Sequence, residues 1–239
     1  MSAKNTKQTT PAQNRSTKRA AIKKKREYSD LTMILIVFAV VGLAVLVGTL
    51  VKRNGTSPLP TITDVPSIQQ YAAPPEMTID TSKQYLATVK LAKGGEFVIQ
   101  LFPDKAPVTV NNFVFLARAG FYDGVTFHRV LEGFMAQTGD PTGTGGGGPG
   151  YTFDNEVSDL VFDKEGVVAM ANAGLNTNGS QFFITFNPVP LKSEDYTIFG
   201  QVISGMDVVK SITLRDPRYN PDFTGDVIES ITITEQDFE

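Results

Sequence analysis

A run of 21 residues without a charged side chain, LTMILIVFAVVGLAVLVGTLV at 31–51, divides the chain into two unlike parts. At ~1.5 Å rise per residue, a helix of this length crosses the roughly 30 Å hydrocarbon core of a membrane. A buried helix of a globular protein rarely stays apolar on every side for so long. A cleaved signal peptide is the stronger alternative, but the run exceeds the usual ~7–15 residues and no A-x-A cleavage site follows it. We therefore predict a transmembrane helix over residues 31–51.

The charge on the two sides of this run is uneven. Residues 1–53 hold eleven Lys and Arg against two Asp and Glu, a balance of +9. The rest of the chain holds eleven Lys and Arg against 23 Asp and Glu, a balance of −12, so the net charge of the whole chain is −3. Basic residues concentrate on the cytoplasmic side of a span. The KKKR cluster at 23–26 therefore favours a cytoplasmic N-terminus and an extracytoplasmic remainder. A nuclear-import or nucleic-acid patch is the alternative interpretation of the cluster, but the acidic remainder disfavours nucleic-acid binding.

These features predict four segments. Residues 1–30 form a basic, disordered cytoplasmic tail, and residues 31–51 span the membrane. Residues 52–80 form an extended linker, because the stretch 54–80 has five prolines and no helical or alternating apolar pattern. Residues 81–239 remain for a folded domain that is long enough to bury a substantial core.

Apolar periodicity within the domain indicates a mainly β fold. YLATVKL and EFVIQLF alternate around Gly94 and Gly95, as the strands of a hairpin do. PVTVNNFVFLARAG (107–120) has helical spacing, with Pro107 suited to a first turn and Gly120 to a stop. Five short β-rich segments follow, then a second short helix, MDVVKSITL, and a last strand, VIESITIT. Many short strands with two helices predict a closed antiparallel barrel or a sandwich.

The usual groups of covalent and metal chemistry are scarce, with no Cys and one His in the chain. A Ser-His-Asp triad would need His128 as its base, but next to Arg129 on a strand it faces the other side, and we interpret it as a hydrogen-bonded structural residue. The count of His and Cys excludes the usual zinc sites. TGTGGGGPG (142–150) lacks the Lys-Ser/Thr of a P-loop, so a flexible or tightly turned surface loop is expected. We predict no metal and no cofactor.

Four closely spaced carboxylates fit no EF-hand loop, and we interpret them as a solvated acidic loop: Asp154, Glu156, Asp159 and Asp163.

Three long segments, in this order, resemble the cyclophilin family of peptidyl-prolyl isomerases: FHRVLEGFMAQTGDPTGTGGGGPGYTFDNE (127–156), VVAMANAGLNTNGSQFFIT (167–185) and YTIFGQV (196–202). The likeness covers about residues 84–236. It implies an eight-stranded closed antiparallel barrel capped by two helices, here preceded by one transmembrane helix. It also implies isomerisation of X-Pro bonds, a rotation over a barrier of roughly 18–20 kcal/mol that needs no nucleophile.

Position by position, the resemblance gives Arg129 the catalytic role. Its permanently charged guanidinium would donate hydrogen bonds to the X-Pro amide as rotation breaks the amide resonance. Phe134, Met135 and Phe183 would hold the proline ring, and the backbone of residues 171–173 would hold the residue before proline. The resemblance assigns substrate binding to these residues: Phe134, Met135, Gln137, Ala171, Asn172, Ala173, Gln181, Phe183, Leu191 and Tyr196.

Two of these positions depart from the pattern of many family members. Leu191 and Lys192 stand where Trp and Leu are frequent, and Tyr196 stands where His is frequent. Leu191 can still form an apolar wall, and Tyr196 keeps a ring with a polar tip. Because the indole donor of cyclosporin-sensitive members is missing, we predict weak cyclosporin binding.

We therefore expect a membrane-tethered peptidyl-prolyl cis-trans isomerase that assists the folding of exported or surface proteins. Its partners would be proline-containing polypeptides and the membrane, with no nucleic acid, and its catalytic domain would be monomeric. The alternative is a chaperone or scaffold module that binds proline peptides with little turnover. Loss of Arg129 or Gln137 would indicate that module, but both residues are present. A barrel that is only a spacer would not explain the groove residues.

Overall fold

The computed structural model describes residues 68–219 and 222–237. This part of the chain holds eight strands and two helices. The strands are β1 Gln84–Leu91, β2 Glu96–Leu101, β3 Arg129–Leu131, β4 Met135–Thr138, β5 Val167–Met170, β6 Phe182–Thr185, β7 Ile198–Ser204 and β8 Ile228–Gln236. The helices are α1 Pro107–Arg118 and α2 Met206–Lys210.

The strands form one antiparallel sheet in the order β3-β4-β6-β5-β7-β2-β1-β8. The predicted mainly β fold with two helices is confirmed. The edge strands β3 and β8 are not joined by a ladder within the described residues, so the sheet is a curled half-barrel. Two isolated bridges lie near these edges, Thr126 with Val227 and Val130 with Arg215. The strand pairing among the described residues therefore does not show the full barrel closure that the resemblance implies.

The first two strands form the predicted hairpin. Lys90 pairs with Glu96, and the Leu91 amide donates to the carbonyl oxygen of Gly95 at 3.0 Å. Gly94 and Gly95 have φ angles of 97° and 88°, which glycine adopts without the steric penalty of a Cβ. The turn therefore depends on this Gly-Gly pair.

Helix α1 buries the face that its spacing predicted, with Val110, Phe113, Val114 and Ala117 at most 5% exposed. It has no side-chain cap of its own. Instead, the Glu156 carboxylate accepts hydrogen bonds from the backbone amides of Val108 and Thr109. The helix dipole is positive at this end, so a negative charge is stabilising there. The interpretation of Glu156 as part of a solvated acidic loop was therefore wrong.

Strand alternation divides the buried side chains between two clusters. Phe182, Val130 and Ile184 belong to the main core between the sheet and α1. Phe183 and Met135 belong to a smaller cluster on the other face of the sheet. The two adjacent phenylalanines of SQFFI, Phe182 and Phe183, therefore lie on opposite faces of the sheet. The second cluster forms the floor of the site described below.

The segment 68–80 has no helix or strand, yet it lies along the domain. Ile79 is 8% exposed, and Asn111 accepts hydrogen bonds from the amides of Thr78 and Ile79. Tyr71 packs edge-on against Phe115, with ring centroids 5.1 Å apart. Part of the stretch predicted as linker is therefore packed against α1.

No helix among the described residues combines the length and apolarity that crossing a membrane requires. The predicted transmembrane helix at 31–51 and the predicted tail at 1–30 lie outside the described residues.

Candidate active site

The strand register places a cation, an amide and an aromatic ring side by side. Arg129 on β3 lies opposite Gln137 on β4, and Gln137 lies opposite Phe183 on β6. Directly opposed residues project from the same face of a sheet. Three side chains that are distant in sequence therefore meet on one face, outside the main core.

A cavity of about 250 Å³ opens on this face. Nine of the eleven residues predicted for the site line it: Arg129, Phe134, Met135, Gln137, Ala171, Asn172, Phe183, Leu191 and Tyr196. The other two, Ala173 and Gln181, line an adjoining cavity of about 440 Å³, which shares Gln137, Ala171 and Asn172 with the first. The structure therefore brings all eleven residues to two neighbouring cavities.

The apolar wall of the smaller cavity is held by aromatic packing. The Phe183 ring meets the Tyr196 ring edge-on at 5.8 Å and stacks on the Phe162 ring at 5.9 Å. Met135 and Phe183 are 2% and 4% exposed. Phe162 was not predicted for the site, although an aromatic residue between the carboxylates of the acidic loop was a signal that this loop packs somewhere.

The polar wall is a relay of side-chain amides. The Arg129 guanidinium donates to Gln137 Oε1 at 3.5 Å, its only hydrogen bond within the part of the chain that the structure describes. Gln137 Nε2 donates to Gln181 Oε1 at 3.0 Å. Gln181 Nε2 in turn donates to the carbonyl oxygens of Gly145 and Gly147, at 3.0 and 2.9 Å. The guanidinium therefore keeps donors free for a ligand while its neighbour is held in place.

The loop at 142–150, hereafter the glycine-rich loop, is organised by one carboxylate, Asp140, which is 0% exposed. Asp140 accepts hydrogen bonds from the amides of Thr142, Gly145 and Gly147, at 2.7, 2.6 and 3.1 Å. Although burial alone would raise the pKa of Asp140, a hydrogen bond from the Thr142 hydroxyl and those from the backbone amides hold it below its ordinary value. Of the two loop types expected, the tightly turned one is observed. Asp140 was missed, although Asp two residues before Thr is an Asx-turn signal.

A second carboxylate lies close enough to Arg129 to sense its charge. Hydrogen bonds from Arg218 lower the pKa of Asp216 to about 2, and the positive charges of Arg218 and Arg129 add to this effect. Asp216 therefore stays ionised at neutral pH and contributes negative charge near Arg129.

His128 points away from the cavity and is 2% exposed. Neither ring nitrogen makes a hydrogen bond of normal geometry within the described residues. Burial lowers the pKa of His128, whereas Asp140 and the nearby Thr126 backbone act in the opposite direction and raise it. His128 is therefore neutral at pH 7 and takes no part in the cavity.

Arg215 holds the backbone just before Arg129, and sequence reasoning missed it. It is 6% exposed, and its guanidinium donates to the carbonyl oxygens of His128 and Phe223. Its backbone also bridges Val130, with N–H···O distances of 2.7 and 2.9 Å. Because Arg129 lies between His128 and Val130, Arg215 fixes the start of β3. No local pattern around Arg215 distinguished it from a surface arginine.

The backbone that borders both cavities is fixed by hydrogen bonds. Asn172 Nδ2 donates to the carbonyl oxygen of Asp195 at 2.8 Å, and the Ala171 amide donates to the carbonyl oxygen of Gln181 at 2.9 Å. The Ala173 amide donates to Thr177 Oγ1 at 2.9 Å. Residues 171–173 therefore form a firm ledge beside the amide relay.

Comparison with known proteins identifies this arrangement. The family model described as cyclophilin type peptidyl-prolyl cis-trans isomerase/CLD matches residues 86–235. Peptidyl-prolyl cis-trans isomerase ppi1 of Schizosaccharomyces pombe is 50% identical over 134 residues, covering 54% of this chain and 86% of the relative. A probable peptidyl-prolyl cis-trans isomerase A of Mycobacterium bovis is 48% identical over 159 residues, covering 59% of this chain and 87% of the relative.

A solved structure shares the fold. The crystal structure of a cyclophilin type peptidyl-prolyl cis-trans isomerase from Cryptosporidium parvum is 34% identical, with a TM-score of 0.57, and the match covers 63% of this chain and 98% of that one. The same Cryptosporidium protein has also been solved in the presence of the dipeptide Ala-Pro. Family match, sequence relatives and fold agree, so this chain belongs to the cyclophilin-type peptidyl-prolyl cis-trans isomerases and is an isomerase.

Proposed function

We propose that Arg129 is the catalytic residue and that the cavity beside it receives the proline ring of the substrate. One observation carries this proposal: a guanidinium with spare donors lines a small cavity together with Phe134, Met135 and Phe183. Apolar side chains fit the ring and exclude water, which strengthens the electrostatic contact. Arginine is suited because its charge persists and its donors form a rigid fork.

Selective stabilisation of the twisted amide accounts for catalysis. Rotation about the X-Pro bond breaks amide resonance, so the prolyl nitrogen becomes pyramidal and able to accept a hydrogen bond. Interactions that are stronger in this state than in the planar ground state accelerate the reaction. Hydrogen bonds from a charged donor contribute about 1.5–3 kcal/mol each, and each factor of ten in rate requires ~1.4 kcal/mol. Two such bonds from Arg129, about 3–6 kcal/mol together, would therefore account for roughly a hundredfold to ten-thousandfold acceleration.

Gln137 and residues 171–173 complete the substrate groove in this proposal. Gln137 lies directly beside Arg129 and has its own orientation set by Gln181. It would hold the substrate backbone next to the rotating bond. The ledge at 171–173 would hold the residue before proline. Fixed geometry of this kind contributes to rate because the reacting bond is presented without further reorganisation.

Isomerisation of a short X-Pro peptide by the full chain tests the proposal. Exchange between cis and trans forms, measured by NMR, should accelerate in proportion to enzyme concentration. Binding of the peptide without any acceleration would instead support the chaperone or scaffold module. Addition of peptide should shift the resonances of residues around Arg129 and leave those of the opposite face of the sheet unchanged.

We further propose that this isomerase acts on exported or surface proteins from a membrane tether. The uncharged run at 31–51 and the basic residues before it support a single span with the N-terminus in the cytoplasm. Uncatalysed isomerisation takes tens to hundreds of seconds, which is slow enough to limit folding. A tethered enzyme would meet client chains as they emerge from the membrane.

Protease treatment of intact cells tests this placement. Cleavage of the isomerase domain by external protease, with the N-terminal tail protected until the cells are lysed, is the expected result. Protection of the domain in intact cells would contradict the outward placement. Neither outcome alters the assignment of Arg129.

A further inference from the structure

The segment 68–80, hereafter the strap, lies outside the residues that match the family model, which begin at 86. It nevertheless packs against the domain through the buried Ile79, through Asn111 and through the ring of Tyr71. The strap therefore lies outside the region matched by the family model and next to the candidate active site.

The strap is hydrogen-bonded to the glycine-rich loop. Gln70 Nε2 donates to the carbonyl oxygen of Gly148 at 2.8 Å, and the Tyr71 amide donates to the carbonyl oxygen of Pro149 at 2.8 Å. The two backbones approach closely, since a Cβ at Gly150 would lie 2.6 Å from the carbonyl oxygen of Tyr71. No side chain fits at Gly150, so the strap and the loop are in close contact at this position.

The inner side of the same loop contacts the amide relay. Gln181 donates to Gly145 and Gly147, and through Gln137 it reaches Arg129. The loop is therefore held between the strap on one side and the catalytic neighbourhood on the other. A ligand that contacts both sides of the loop would bridge the strap and the active site.

A third cavity of about 590 Å³ lies between the strap and the loop. Among the residues that the structure describes, its lining contains no charged side chain: Ile68, Gln70, Thr142, Gly146, Gly147, Gly148, Gly150, Tyr151 and Thr152. It shares residues 146–148, Tyr151 and Thr152 with the 440 Å³ cavity, which in turn shares Gln137 with the cavity of Arg129. The three cavities therefore adjoin one another in a series from Arg129 to the strap, hereafter the trough.

We infer that the strap cavity is a subsite for an extended, uncharged segment of the substrate polypeptide that precedes the proline. This inference rests on the proposed placement of proline beside Arg129. The ledge at 171–173 would hold the residue before proline, so the trough continues towards the N-terminal side of the substrate. Glycine backbone and the Gln70 amide offer partners for a peptide backbone, and Ile68, which is 46% exposed, offers an apolar contact.

The chemistry of the lining also sets the specificity. An extended peptide advances ~3.3 Å per residue and presents its backbone groups on both sides, which suits a trough of glycines and amides. Charged side chains would lose hydration there without gaining an opposite charge. We therefore expect a preference for clients whose residues upstream of proline are neutral.

Three peptides and the full chain test the subsite. One peptide has a single residue before proline, the second has five more neutral residues upstream, and the third has the same five residues downstream. Dissociation constants are measured by calorimetry, and cis-trans exchange is measured by NMR. Ile68→Asp places a charge in the strap cavity, and Met77→Asp is the matched control, because Met77 is a 51% exposed strap residue that lines none of the three cavities.

The wild-type chain and Met77→Asp should bind the upstream-extended peptide about tenfold more tightly than the short peptide. In Ile68→Asp this gain should fall below about twofold, with the affinity for the short peptide unchanged. An equal gain from the downstream extension, no gain in the wild type, or a full gain in Ile68→Asp would overturn the inference. Turnover of the short peptide is a separate readout, and its absence would contradict the role of Arg129 while the dissociation constants still decide the subsite.

Discussion

Arg129 begins strand β3 and Arg215 is hydrogen-bonded to that strand, but their guanidinium groups have different surroundings. Arg129 is partly exposed, lines the small cavity and makes one long hydrogen bond, to Gln137, among the described residues. Arg215 is 6% exposed and donates to two backbone carbonyl oxygens. One guanidinium is available to a ligand, and the other is consumed by the fold.

This difference follows from burial and partners and not from residue type. Both side chains are permanently charged, since arginine does not deprotonate in proteins. A buried cation must be satisfied by the protein, because it has lost its water. A cation beside a cavity can keep spare donors, which a substrate satisfies instead. Four experiments sharpen this comparison or break it.

Substitution of Arg129 by Ala should have the largest effect on activity. Loss of the donor should lower kcat/KM by about 10²- to 10³-fold, as removal of one preorganised donor does in other enzymes. The free energy of unfolding should change by no more than about 0.5 kcal/mol, because Arg129 has few partners to lose. Arg129→Lys keeps the charge without the rigid fork, so an intermediate rate is expected. An Ala variant with the wild-type rate would exclude Arg129 as the catalytic residue.

Substitution of Arg215 by Met should mainly affect stability. It leaves the buried carbonyl oxygen of His128 and the part-buried carbonyl oxygen of Phe223 without their donor, at about 1–3 kcal/mol for a fully buried group and less for the other. Urea unfolding followed by circular dichroism should therefore show a loss of about 2–5 kcal/mol, with a smaller fall in kcat/KM than for Arg129→Ala.

Arg218→Met is the matched control for Arg215, because the Arg218 side chain is 72% exposed in its ion pair with Asp216. It should change the free energy of unfolding far less than Arg215→Met does, because exposed ion pairs contribute little to stability. If Arg215→Met were as stable as this control, the structural role of Arg215 would be contradicted.

Substitution of Gln137 by Ala should have an intermediate effect on rate. It removes the acceptor of Arg129 and the donor to Gln181, so about a tenfold fall in kcat/KM is expected, equivalent to ~1.4 kcal/mol. Gln181→Ala should cost less, because it acts through Gln137. In a double-mutant cycle the two effects should be non-additive, since contacting residues share their contribution. Strict additivity would show that the relay does not act as a unit.

Protonation of His128 should have the smallest effect. Because burial lowers its pKa in the folded protein, the unfolded chain binds the proton first as pH falls below about 6.5. Stability should therefore be complete above that pH and decrease as pH falls towards the folded-state pKa. His128 is the only histidine, so urea titrations of His128→Gln should lack this decrease between roughly pH 5 and 7. A decrease of the same size in the variant would assign the effect to other groups.

Local patterns in the sequence were sufficient for most of the fold. Helical spacing located α1, and alternation around Gly94 and Gly95 located the first hairpin. The second helix ends at Lys210, earlier than MDVVKSITL indicated. The pairing of distant edges was less predictable, because barrel closure depends on geometry accumulated over all the strands.

The candidate site was found through residue identities, and its supports were not. The family motif located Arg129, Gln137 and Phe183, and the strand register then placed them side by side. Asp140 was missed because its role depends on amides that the loop brings back to it. The packed strap was missed because proline content indicated a linker, and only contacts with α1 and the glycine-rich loop show otherwise.

The sequence by itself determined the residue chemistry and the local periodicity: the lack of cysteine, one histidine, the motifs around Arg129, and which strand residues share a face. Only the tertiary structure decided how the donors of each arginine are used: those of Arg215 by backbone carbonyl oxygens, and one of Arg129 by Gln137. Arg215 meets His128 across 87 positions of the chain, and no local pattern encodes that meeting. The physical reason is that burial and hydrogen-bond satisfaction are properties of the neighbours that a residue acquires on folding.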